Sequence, residues 1–415
     1  MEAPILVPHP APSPFDARLR TALTAGRSAA WLSRRLAGGG GGVIGGRVVL
    51  RMVPDAPERL SRDRTVVLVS GTNGKSTTTA MLRSALAGRY PTTSNLDGAN
   101  TGPGLVTALA DVGSHAVLET DEGWLPWAVR RTRPAIAVLL NLSRDQLDRH
   151  PEVQGLAAAW RSALAEVPLV VANADDPAVV WAASAAQRQI WVGAGQSWQH
   201  DAVVCPACGA LLRRDRDHWS CRCGLARPEP TWTARGSEVA WHGHPLAVTL
   251  DLPGPVNLAN AAMALATATA AGVPVAEGAR SLAGLEQVSG RYAVFTRGDH
   301  QVRLLLAKNP AGWQSALRMI GASQRPVVLG FNAEGVDGRD PSWLYDVNFA
   351  ALRHRPVAVF GRRGSDMSVR LLVDCVPQVG QFERLDGALH RLPAGPVDLV
   401  ANYTAFRDAF RELAA

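Results

Sequence analysis

The residues with the clearest chemical potential lie in the stretch 65–83, which reads TVVLVSGTNGKSTTTAMLR. Its apolar, β-branched beginning, Thr65 to Ser70, predicts a buried strand. A tight glycine turn, Gly71 to Ser76, follows, and the apolar positions after Thr77 predict a helix packed on that strand. Because such a turn and a helix N-terminus present free backbone N–H groups to an anion, the stretch predicts a phosphate-binding loop.

Two side chains of this loop could act on a nucleotide: the Lys75 ammonium on the β- and γ-phosphates, and the Ser76 hydroxyl on Mg²⁺. The strict Walker pattern needs glycine where this chain has Val69, so G-x-x-G-K-S alone could be a plain glycine turn. The flanking strand and helix favour nucleotide binding. Lys75 and Lys308 are the two lysines among 43 basic residues, which reflects either arginine-rich composition or a need for a compact ammonium. The predicted nucleotide contacts in the loop are Gly71, Thr72, Asn73, Gly74, Lys75, Ser76 and Thr77.

Further apolar runs alternate with helical segments after the loop, at His115–Glu119, Ala135–Leu140 and Pro168–Ala172. This alternation predicts a parallel sheet covered on both faces. Polar residues at the carboxyl ends of such strands line the ligand crevice. Glu119 ends the first of these runs, so we predict it as a Mg²⁺ ligand; the alternative is a solvated loop carboxylate.

Four of the five cysteines lie within 19 residues, as the pairs Cys205/Cys208 and Cys221/Cys223. Two thiolate pairs at this separation predict a tetrahedral Cys₄ zinc site in a ribbon, with a structural role. His218 could replace one thiolate, and free core cysteines are the alternative. Since many ribbons bind nucleic acid, that function class also stays open at this point.

The two ends of the chain differ in character. Residues 1–14 are proline-rich and predicted to be disordered. A helical pattern from Phe15 to Leu36 is followed by glycines at 38–42 and 45–46, either a flexible linker or a loop that closes near phosphates. The C-terminal part, 298–415, alternates strands and helices again, which predicts a second, smaller open α/β sheet. Its Cys375 is predicted to be a core residue.

Bulk properties bound the function classes. The chain has 415 residues, a net charge of +7 and a pI near 9.6, which suit a nucleotide, a diphosphate, an anionic membrane face or nucleic acid. The sequence contains no run of 18 apolar residues without a charge, so no membrane span is predicted. The N-terminus lacks a signal-peptide pattern. We therefore expect a cytoplasmic protein.

The motifs together resemble a known family. GTNGKST, the strand end at Glu119, NLSRDQLDRHP, NADDP, PGPVNLANA and SGR occur in the order found in the central domain of the Mur ligases. The cysteine insertion, LLAKNPAGW, NAEGVDGRDPSWLYDVNF and ANYTAF resemble more closely the MurT-type subunits of lipid II isoglutaminyl synthases. The resemblance covers nearly the whole chain from about residue 15.

The resemblance implies an activity and its partners. Such enzymes use ATP to turn a carboxylate, here the α-carboxylate of D-glutamate in the lipid II stem peptide, into an acyl phosphate that ammonia converts to D-isoglutamine. Lys75, Glu119 and Asp346 are the implied catalytic residues, and Asn260 and Arg291 the further nucleotide contacts. Ammonia would come from a class I glutamine amidotransferase of the GatD type in a heterodimer, and Asp346 would complete that partner's Cys–His site. Lipid II would place the work at the inner membrane face, with no nucleic acid involved.

Three features depart from ordinary Mur ligases. About 64 residues precede the first strand, too few for the usual UDP-binding domain. The family's Mg²⁺-binding histidine is replaced by Gln146, and His150 is offset. No lysine lies between His150 and Asn173 to be carbamylated. A second Mg²⁺ site must therefore be built otherwise or be missing.

The expected organisation is a disordered tail at 1–14, an N-terminal helix and Gly-rich loop at 15–60, an ATP-binding domain at 61–297 with the ribbon at about 201–228, and a C-terminal domain at 298–415.

Two other functions remain open. One is a stand-alone ligase that adds an amino acid to a carboxylate. The other, from a different class, is a zinc-ribbon nucleic-acid-binding ATPase. In addition, Asn260 could merely cap its helix, and Asp346 could cap a local one.

Overall fold

The computed structural model describes residues 17–37, 42–95, 98–145, 153–196, 198–216, 218–252, 254–285, 292–321, 323–334 and 340–414. The chain forms two compact units. The first comprises Met1–Leu142 and Val153–Leu285, and the second comprises Ser143–Glu152 and Glu286–Ala415. Each unit has its own sheet flanked by helices, so the predicted α/β class is confirmed. No helix in the described ranges is long and apolar enough to cross a bilayer.

The first unit is built on a nine-stranded sheet. Its strands are β1 (Thr65–Ser70), β2 (Thr92–Ser94), β3 (His115–Thr120), β4 (Ile136–Leu139), β5 (Leu169–Asn173), β6 (Gln189–Gly193), β9 (Trp232–Arg235), β10 (Glu238–Trp241) and β11 (His244–Leu246). Their order across the sheet is β11-β10-β9-β6-β5-β4-β1-β3-β2. The central strands pair in parallel, and β1 lies between β3 and β4. A phosphate loop after β1 therefore leaves from the middle of the sheet.

Ten helices of this unit are described. They are α1 (Ala17–Ala37), α2 (Gly42–Met52), α3 (Ala56–Ser61), α4 (Lys75–Ala87), α5 (Gly102–Leu109), α6 (Leu125–Thr132), α7 (Val153–Leu164), α8 (Pro177–Ala183), α9 (Pro255–Ala270) and α10 (Val275–Ser281). They bury the apolar faces of the sheet, and the central strands β1, β3 and β4 are buried along almost their whole length. This two-sided burial explains why those strands read as continuous apolar runs in the sequence.

One edge of this sheet was not foreseen. Strands β9, β10 and β11 form an antiparallel meander that joins the parallel sheet through β6. These strands have only three or four residues each and mix polar with apolar side chains. Short edge strands with one solvated face lack the long apolar run that marks a central strand, so periodicity alone did not find them.

The second unit contains a six-stranded sheet in the order β12-β13-β17-β14-β15-β16. The strands are β12 (Tyr292–Arg297), β13 (His300–Leu306), β14 (Val327–Gly330), β15 (Val357–Phe360), β16 (Gln378–Phe382) and β17 (Gly395–Ala401). The helices are α11 (Pro310–Gly321), α12 (Gly364–Val373), α13 (Leu385–Leu389) and α14 (Tyr403–Ala414), with 3-10 turns at Ser342–Asp346 and Ala350–Leu352. Apart from the antiparallel β12–β13 hairpin the strands pair in parallel, and the predicted smaller α/β sheet is confirmed.

The glycine-rich segment is not a loop where the structure describes it. Residues 42–52 form α2, and Gly45 packs so closely on α1 that an added Cβ would lie 2.9 Å from the Gly26 carbonyl oxygen. Both sequence interpretations, linker and phosphate-closing loop, were therefore wrong for Gly45 and Gly46. Close helix packing is a third reason for glycine, and it depends on a neighbour distant in sequence. Positions 38–41 lie outside the described residues.

The prediction for Cys375 was also wrong. This residue is exposed and adopts a left-handed backbone conformation with φ +56°. It follows α12, and its N–H donates to the Leu372 carbonyl while the Val376 N–H donates to that of Leu371. A left-handed residue that closes a helix end satisfies the last carbonyls, and this geometry holds the residue at the surface.

Candidate functional site

The phosphate loop between β1 and α4 is tightly packed against the loop that follows β4. The Thr72 N–H donates to the Asn141 carbonyl oxygen over 2.9 Å, and the Asn73 N–H donates to Asn141 Oδ1 over the same distance. The Asn141 amide returns a bond to the Asn73 carbonyl oxygen at 3.0 Å. Asn141 therefore fixes the loop, a role that sequence reasoning missed although the residue begins the NLSRD motif.

Gly74 occupies the turn into α4 and could not be replaced easily. Its φ is +90°, and an added Cβ would lie 2.6 Å from Asn260 Oδ1. Asn260 lies in the second turn of α9 and also accepts a hydrogen bond from the Thr78 hydroxyl at 3.2 Å. The helix-capping alternative for Asn260 was therefore wrong, because Gly254 occupies the N-cap position. Asn260 packs on the phosphate loop instead.

Lys75 is the first residue of α4 and its side chain is buried. The ammonium donates to the carbonyl oxygens of Gly71 at 2.5 Å and Thr72 at 3.2 Å, and to Glu122 Oε2 at 2.8 Å. Glu122 is itself buried and its carbonyl oxygen accepts from the Trp160 indole at 2.8 Å. Because the ammonium is held within the loop, it lies where the phosphates of a nucleotide would bind. The pairing of Glu122 with Lys75 was not predicted from the sequence.

Glu119 lies one residue before the end of β3, beside Val69 of β1 in the sheet register. Its side chain is 1% exposed, Oε1 accepts one bond from the Asn100 amide at 3.2 Å, and Oε2 is buried with no partner among the described residues. A buried carboxylate with an unpaired oxygen needs a cation or a donor. Ser76 in the first turn of α4 and Glu119 near the carboxyl end of the neighbouring strand β3 offer oxygen ligands of the kind that Mg²⁺ prefers, so these residues fit the ion.

Ser94 was missed by the sequence reasoning. It ends β2, and its hydroxyl is buried without a hydrogen-bond partner in the described part of the chain. Strand β2 lies next to β3 with Ser94 in register with Val117, so the hydroxyl belongs to the same carboxyl edge as Glu119. A polar residue at the end of an apolar strand was the available signal, but a three-residue strand is too short to recognise.

The NADDP motif has a structural part in the site. Asp176 caps α8 by accepting from the N–H groups of Ala178 and Val179, and its second oxygen accepts from the Leu142 N–H at 2.8 Å. Complete burial raises the pKa of Asp176 to about 6, against the lowering effect of these bonds. The carboxyl group thereby anchors Leu142, the residue that follows the loop-binding Asn141.

The four ribbon cysteines converge. Their sulfur atoms all lie within 4.8 Å of one another, with Cys205 Sγ 3.6 Å from Cys223 Sγ and Cys208 Sγ 3.5 Å from Cys221 Sγ. Four thiolates around zinc at about 2.3 Å would place their sulfurs roughly 3.8 Å apart. The hairpin of β7 (Arg213–Asp215) and β8 (His218–Ser220) lies between the two pairs. The described geometry therefore fits a tetrahedral metal, and His218 is not part of this cluster.

Asp346 ends the 3-10 turn Ser342–Asp346 in the second unit. Its carboxylate lies 3.1 Å from the Arg144 guanidinium, which belongs to the same unit, and is 40% exposed. The N-cap of the turn is Pro341, so the capping alternative for Asp346 was wrong. Arg370 holds the following residue by donating to the Val347 carbonyl oxygen at 2.5 Å. The carboxylate is thus presented at the surface from a fixed backbone.

Several predicted residues cannot be placed. Arg291, Gln146 and His150 lie outside the described residues, so the structure gives no geometry for a third nucleotide contact or for the altered Mg²⁺ position. Lys308 is described, and its ammonium lies over the Tyr403 ring at 5.4 Å from the centroid.

Comparison with known proteins agrees with this arrangement. The model of the Mur ligase middle domain matches residues 69–268, and the model of the MurT ligase C-terminal region matches residues 306–406. A relative from Streptococcus pneumoniae (strain ATCC BAA-255 / R6), named lipid II isoglutaminyl synthase (glutamine-hydrolyzing) subunit MurT, is 28% identical over 95% of this chain and 96% of its own. The protein with the same name in Staphylococcus aureus (strain N315) is 27% identical over 81% of this chain and 84% of its own.

Solved structures agree at the level of the fold. A pseudomurein peptide ligase type C from Methanothermus fervidus has a TM-score of 0.66 and 19% identity, covering 89% of this chain and 84% of that one. The fold is therefore that of the Mur ligases, with a phosphate loop between β1 and α4. Both family models and the curated relatives match the chain in order along its length, so the chain is similar to the Mur ligases and, over its whole length, to their MurT branch.

Proposed function

We propose that this chain is the ATP-using subunit of a lipid II isoglutaminyl synthase. The α-carboxylate of D-glutamate in the lipid II stem peptide attacks the γ-phosphate of ATP, which gives an acyl phosphate and ADP. Ammonia then attacks the acyl carbon, phosphate leaves, and the nitrogen loses a proton to give the D-isoglutamine amide. The observation that supports this most is that one chain combines the buried Lys75 loop with the 306–406 region typical of MurT proteins.

The residues of the first unit supply the phosphate chemistry. The N-terminus of α4 and the loop N–H groups that do not donate to Asn141 bind phosphate oxygens, and Lys75 neutralises the transferred phosphoryl group. Asn260 holds the turn at Gly74, and Asn141 holds Thr72 and Asn73. We assign Ser76 and Glu119 as the residues that would hold Mg²⁺, which when bound stabilises the charge on the phosphates. We also propose Arg291 as a nucleotide contact.

Ammonia requires a second protein. At neutral pH most free ammonia is ammonium, so an amidating enzyme draws on glutamine, whose hydrolysis needs an activated Cys–His pair. In this chain four cysteines converge in the ribbon and Cys375 closes a helix end. We therefore propose a heterodimer with a class I glutamine amidotransferase of the GatD type. In that complex Asp346 would orient the partner's histidine and stabilise its imidazolium form.

The remaining assignments follow from this proposal. The ribbon cysteines Cys205, Cys208, Cys221 and Cys223 would bind one structural zinc, because all four positions of a tetrahedral ion are then filled by thiolates. A lipid-linked substrate places the reaction at the inner face of the cell membrane. Nucleic acid has no part in the reaction.

The test is mass spectrometry of lipid II after incubation with this chain, ATP and NH₄⁺. Replacement of OH by NH₂ in the stem peptide, absent with Lys75→Ala, is the expected result. Addition of an amino-acid mass would instead indicate the stand-alone ligase. ATP turnover stimulated by DNA but not by lipid II and ammonia would indicate the zinc-ribbon ATPase and overturn the proposal.

A further inference from the structure

The net positive charge of this protein is concentrated in one element. Helices α1 and α2 together with their connection, residues 17–52, contain seven arginines and no acidic residue. The other 36 basic residues of the chain are balanced by its 36 acidic ones. The whole net charge of +7 is thus equal to that of this helical hairpin, and none of its arginines is needed at the phosphate loop described above.

The hairpin presents two chemically different faces. Its inner face is apolar and buried through Leu19, Ala22 and Leu23 of α1 and Val49 of α2. Its outer face follows positions 20, 24, 27, 31 and 34 of α1, which have the spacing of one helical stripe. Arg20, Arg27 and Arg34 lie on this stripe and are exposed. The buried inner face fixes the helix in the fold. The basic outer stripe remains exposed and can contact a partner.

Large apolar side chains lie among these arginines near the connection between the two helices. Trp31 is 51% exposed, Leu32 is 50% exposed and Ile44 at the start of α2 is 42% exposed. The Arg35 guanidinium lies 4.6 Å from the centroid of the Trp31 ring. Exposed tryptophan and aliphatic residues next to arginine are costly in water but suit the interface between lipid headgroups and acyl chains.

Few compensating charges face this surface. Arg18 donates to the Met52 carbonyl oxygen and Arg27 to the Ala110 carbonyl oxygen, so both bind backbone groups. Asp111, next to Ala110, is the acidic residue nearest in sequence to these contacts. Within the described ranges no acidic side chain pairs with Arg34 or Arg35. The surface therefore keeps its positive field, which would extend about 8 Å into solvent at physiological ionic strength.

We infer that this surface, formed by Trp31, Leu32, Arg34, Arg35 and Ile44, binds the headgroup region of an anionic lipid bilayer. The substrate of the proposed function is lipid-linked, so the protein would have to work at a membrane. The inference rests on the proposed function in this one respect. A nucleic acid would use the arginines but leave Leu32 and Ile44 without a favourable contact. A bilayer uses both, since the arginines bind phosphate groups and the apolar side chains enter the interface.

The direct test is co-sedimentation of the full chain with vesicles of phosphatidylglycerol and phosphatidylcholine, compared with phosphatidylcholine alone. We expect binding to the anionic vesicles, and we expect it to weaken in 0.5 M salt because the electrostatic screening length is shorter at that ionic strength. The variant Arg34→Gln/Arg35→Gln should bind roughly twenty-fold more weakly, because each arginine near such a surface contributes about fivefold. Trp31→Gln/Leu32→Gln should also bind more weakly, with unchanged charge.

Arg83→Gln/Arg130→Gln is the matched control, since it removes two exposed arginines elsewhere in the same unit. Equal loss in this control, unchanged binding in the hairpin variants, or no binding by the unmodified chain would overturn the inference. The inference would also fail if the unmodified chain bound a DNA duplex but not the vesicles, and the hairpin variants lost that DNA binding.

Activity separates this inference from the proposed function. With lipid II in vesicles the hairpin variants should have a higher KM and an unchanged kcat, whereas a lipid-free muropeptide should be amidated as by the unmodified chain. If no protein amidates either substrate, the proposed function fails and vesicle binding still decides the inference. An equal loss of activity on both substrates would contradict a membrane role.

Discussion

Lys75 Nζ lies 2.8 Å from Glu122 Oε2, and both side chains are buried, with 7% and 10% of their side-chain surface exposed. The two residues are 47 positions apart and are brought together because β1 and β3 are neighbours in the sheet. This buried ion pair, together with the bonds to the Gly71 and Thr72 carbonyl oxygens, holds the ammonium against the phosphate loop.

Lys75→Ala should abolish ATP turnover, with a loss of at least about a hundredfold, because the charge on the transferred phosphoryl group is no longer neutralised. Lys75→Arg should also fail, since a planar guanidinium does not fit a site built for a compact ammonium. Phosphate release in the presence of lipid II and ammonia measures both, and circular dichroism checks the fold. Full activity of the arginine variant would contradict the need for a compact ammonium.

Glu122→Gln should strengthen nucleotide binding. In the free protein the carboxylate competes with phosphate for the Lys75 ammonium, and a charge-assisted hydrogen bond contributes about 1.5 kcal/mol, so its removal should lower the Kd for ATP on the order of tenfold. Calorimetric titration of ATP into both proteins measures the change. Weaker binding by the variant would mean that Glu122 orients Lys75 and does not compete with the nucleotide.

Metal analysis should find one zinc for each chain, lost in Cys205→Ser and Cys221→Ser. A hydrogen bond from the Cys223 backbone lowers the pKa of Cys221 to about 7, which favours the thiolate that zinc binds. Since a structural metal contributes to the free energy of folding, both variants should also be less stable. Cys375→Ser, outside the cluster, is the control. Stoichiometric zinc in a protein with all four ribbon cysteines replaced would refute the site.

Asp346→Asn should lose activity with glutamine but keep it with NH₄⁺. In serine proteases the loss of the orienting carboxylate costs about 10⁴ in rate, and we expect a large effect of the same origin in the partner's glutaminase. Asp340→Asn is the matched control, because it removes the same charge at the other end of the 3-10 turn. Equal loss on both nitrogen sources would place Asp346 in the fold or the ATP reaction. Unchanged activity on both would remove it from the mechanism.

Asp176 gives a pH dependence of stability with a defined sign. Burial raises its pKa from 3.8 to about 6, so its contribution to stability is fully present below about pH 4 and is lost as the pH rises through 6. A pKa shift of this size corresponds to a change of about 3 kcal/mol in the free energy of unfolding. The free energy of unfolding, from urea titrations between pH 4 and 7, should fall more steeply for the unmodified chain than for Asp176→Asn. Parallel pH profiles of the two proteins would contradict this shift.

The sequence by itself determined the elements whose signals are local. Strand β1 begins and ends where the β-branched run does, at Thr65 and Ser70, and Lys75 begins α4 directly after the glycine turn. The cysteine spacing predicted a cluster that the structure confirms. The second sheet in 298–415 was predicted because buried parallel strands such as β14 and β15 carry continuous apolar runs.

Tertiary structure alone decided how distant residues meet. The bonds from Asn141 to the phosphate loop join residues 68 positions apart, and the Arg144–Asp346 pair joins residues still farther apart in the chain. Gly45 is needed for packing against Gly26, and Cys375 is exposed because a helix ends there. Periodicity and turn chemistry act over a few residues. The partners of Lys75 and Glu119 depend instead on which strands lie side by side, and strand order is a property of the folded chain.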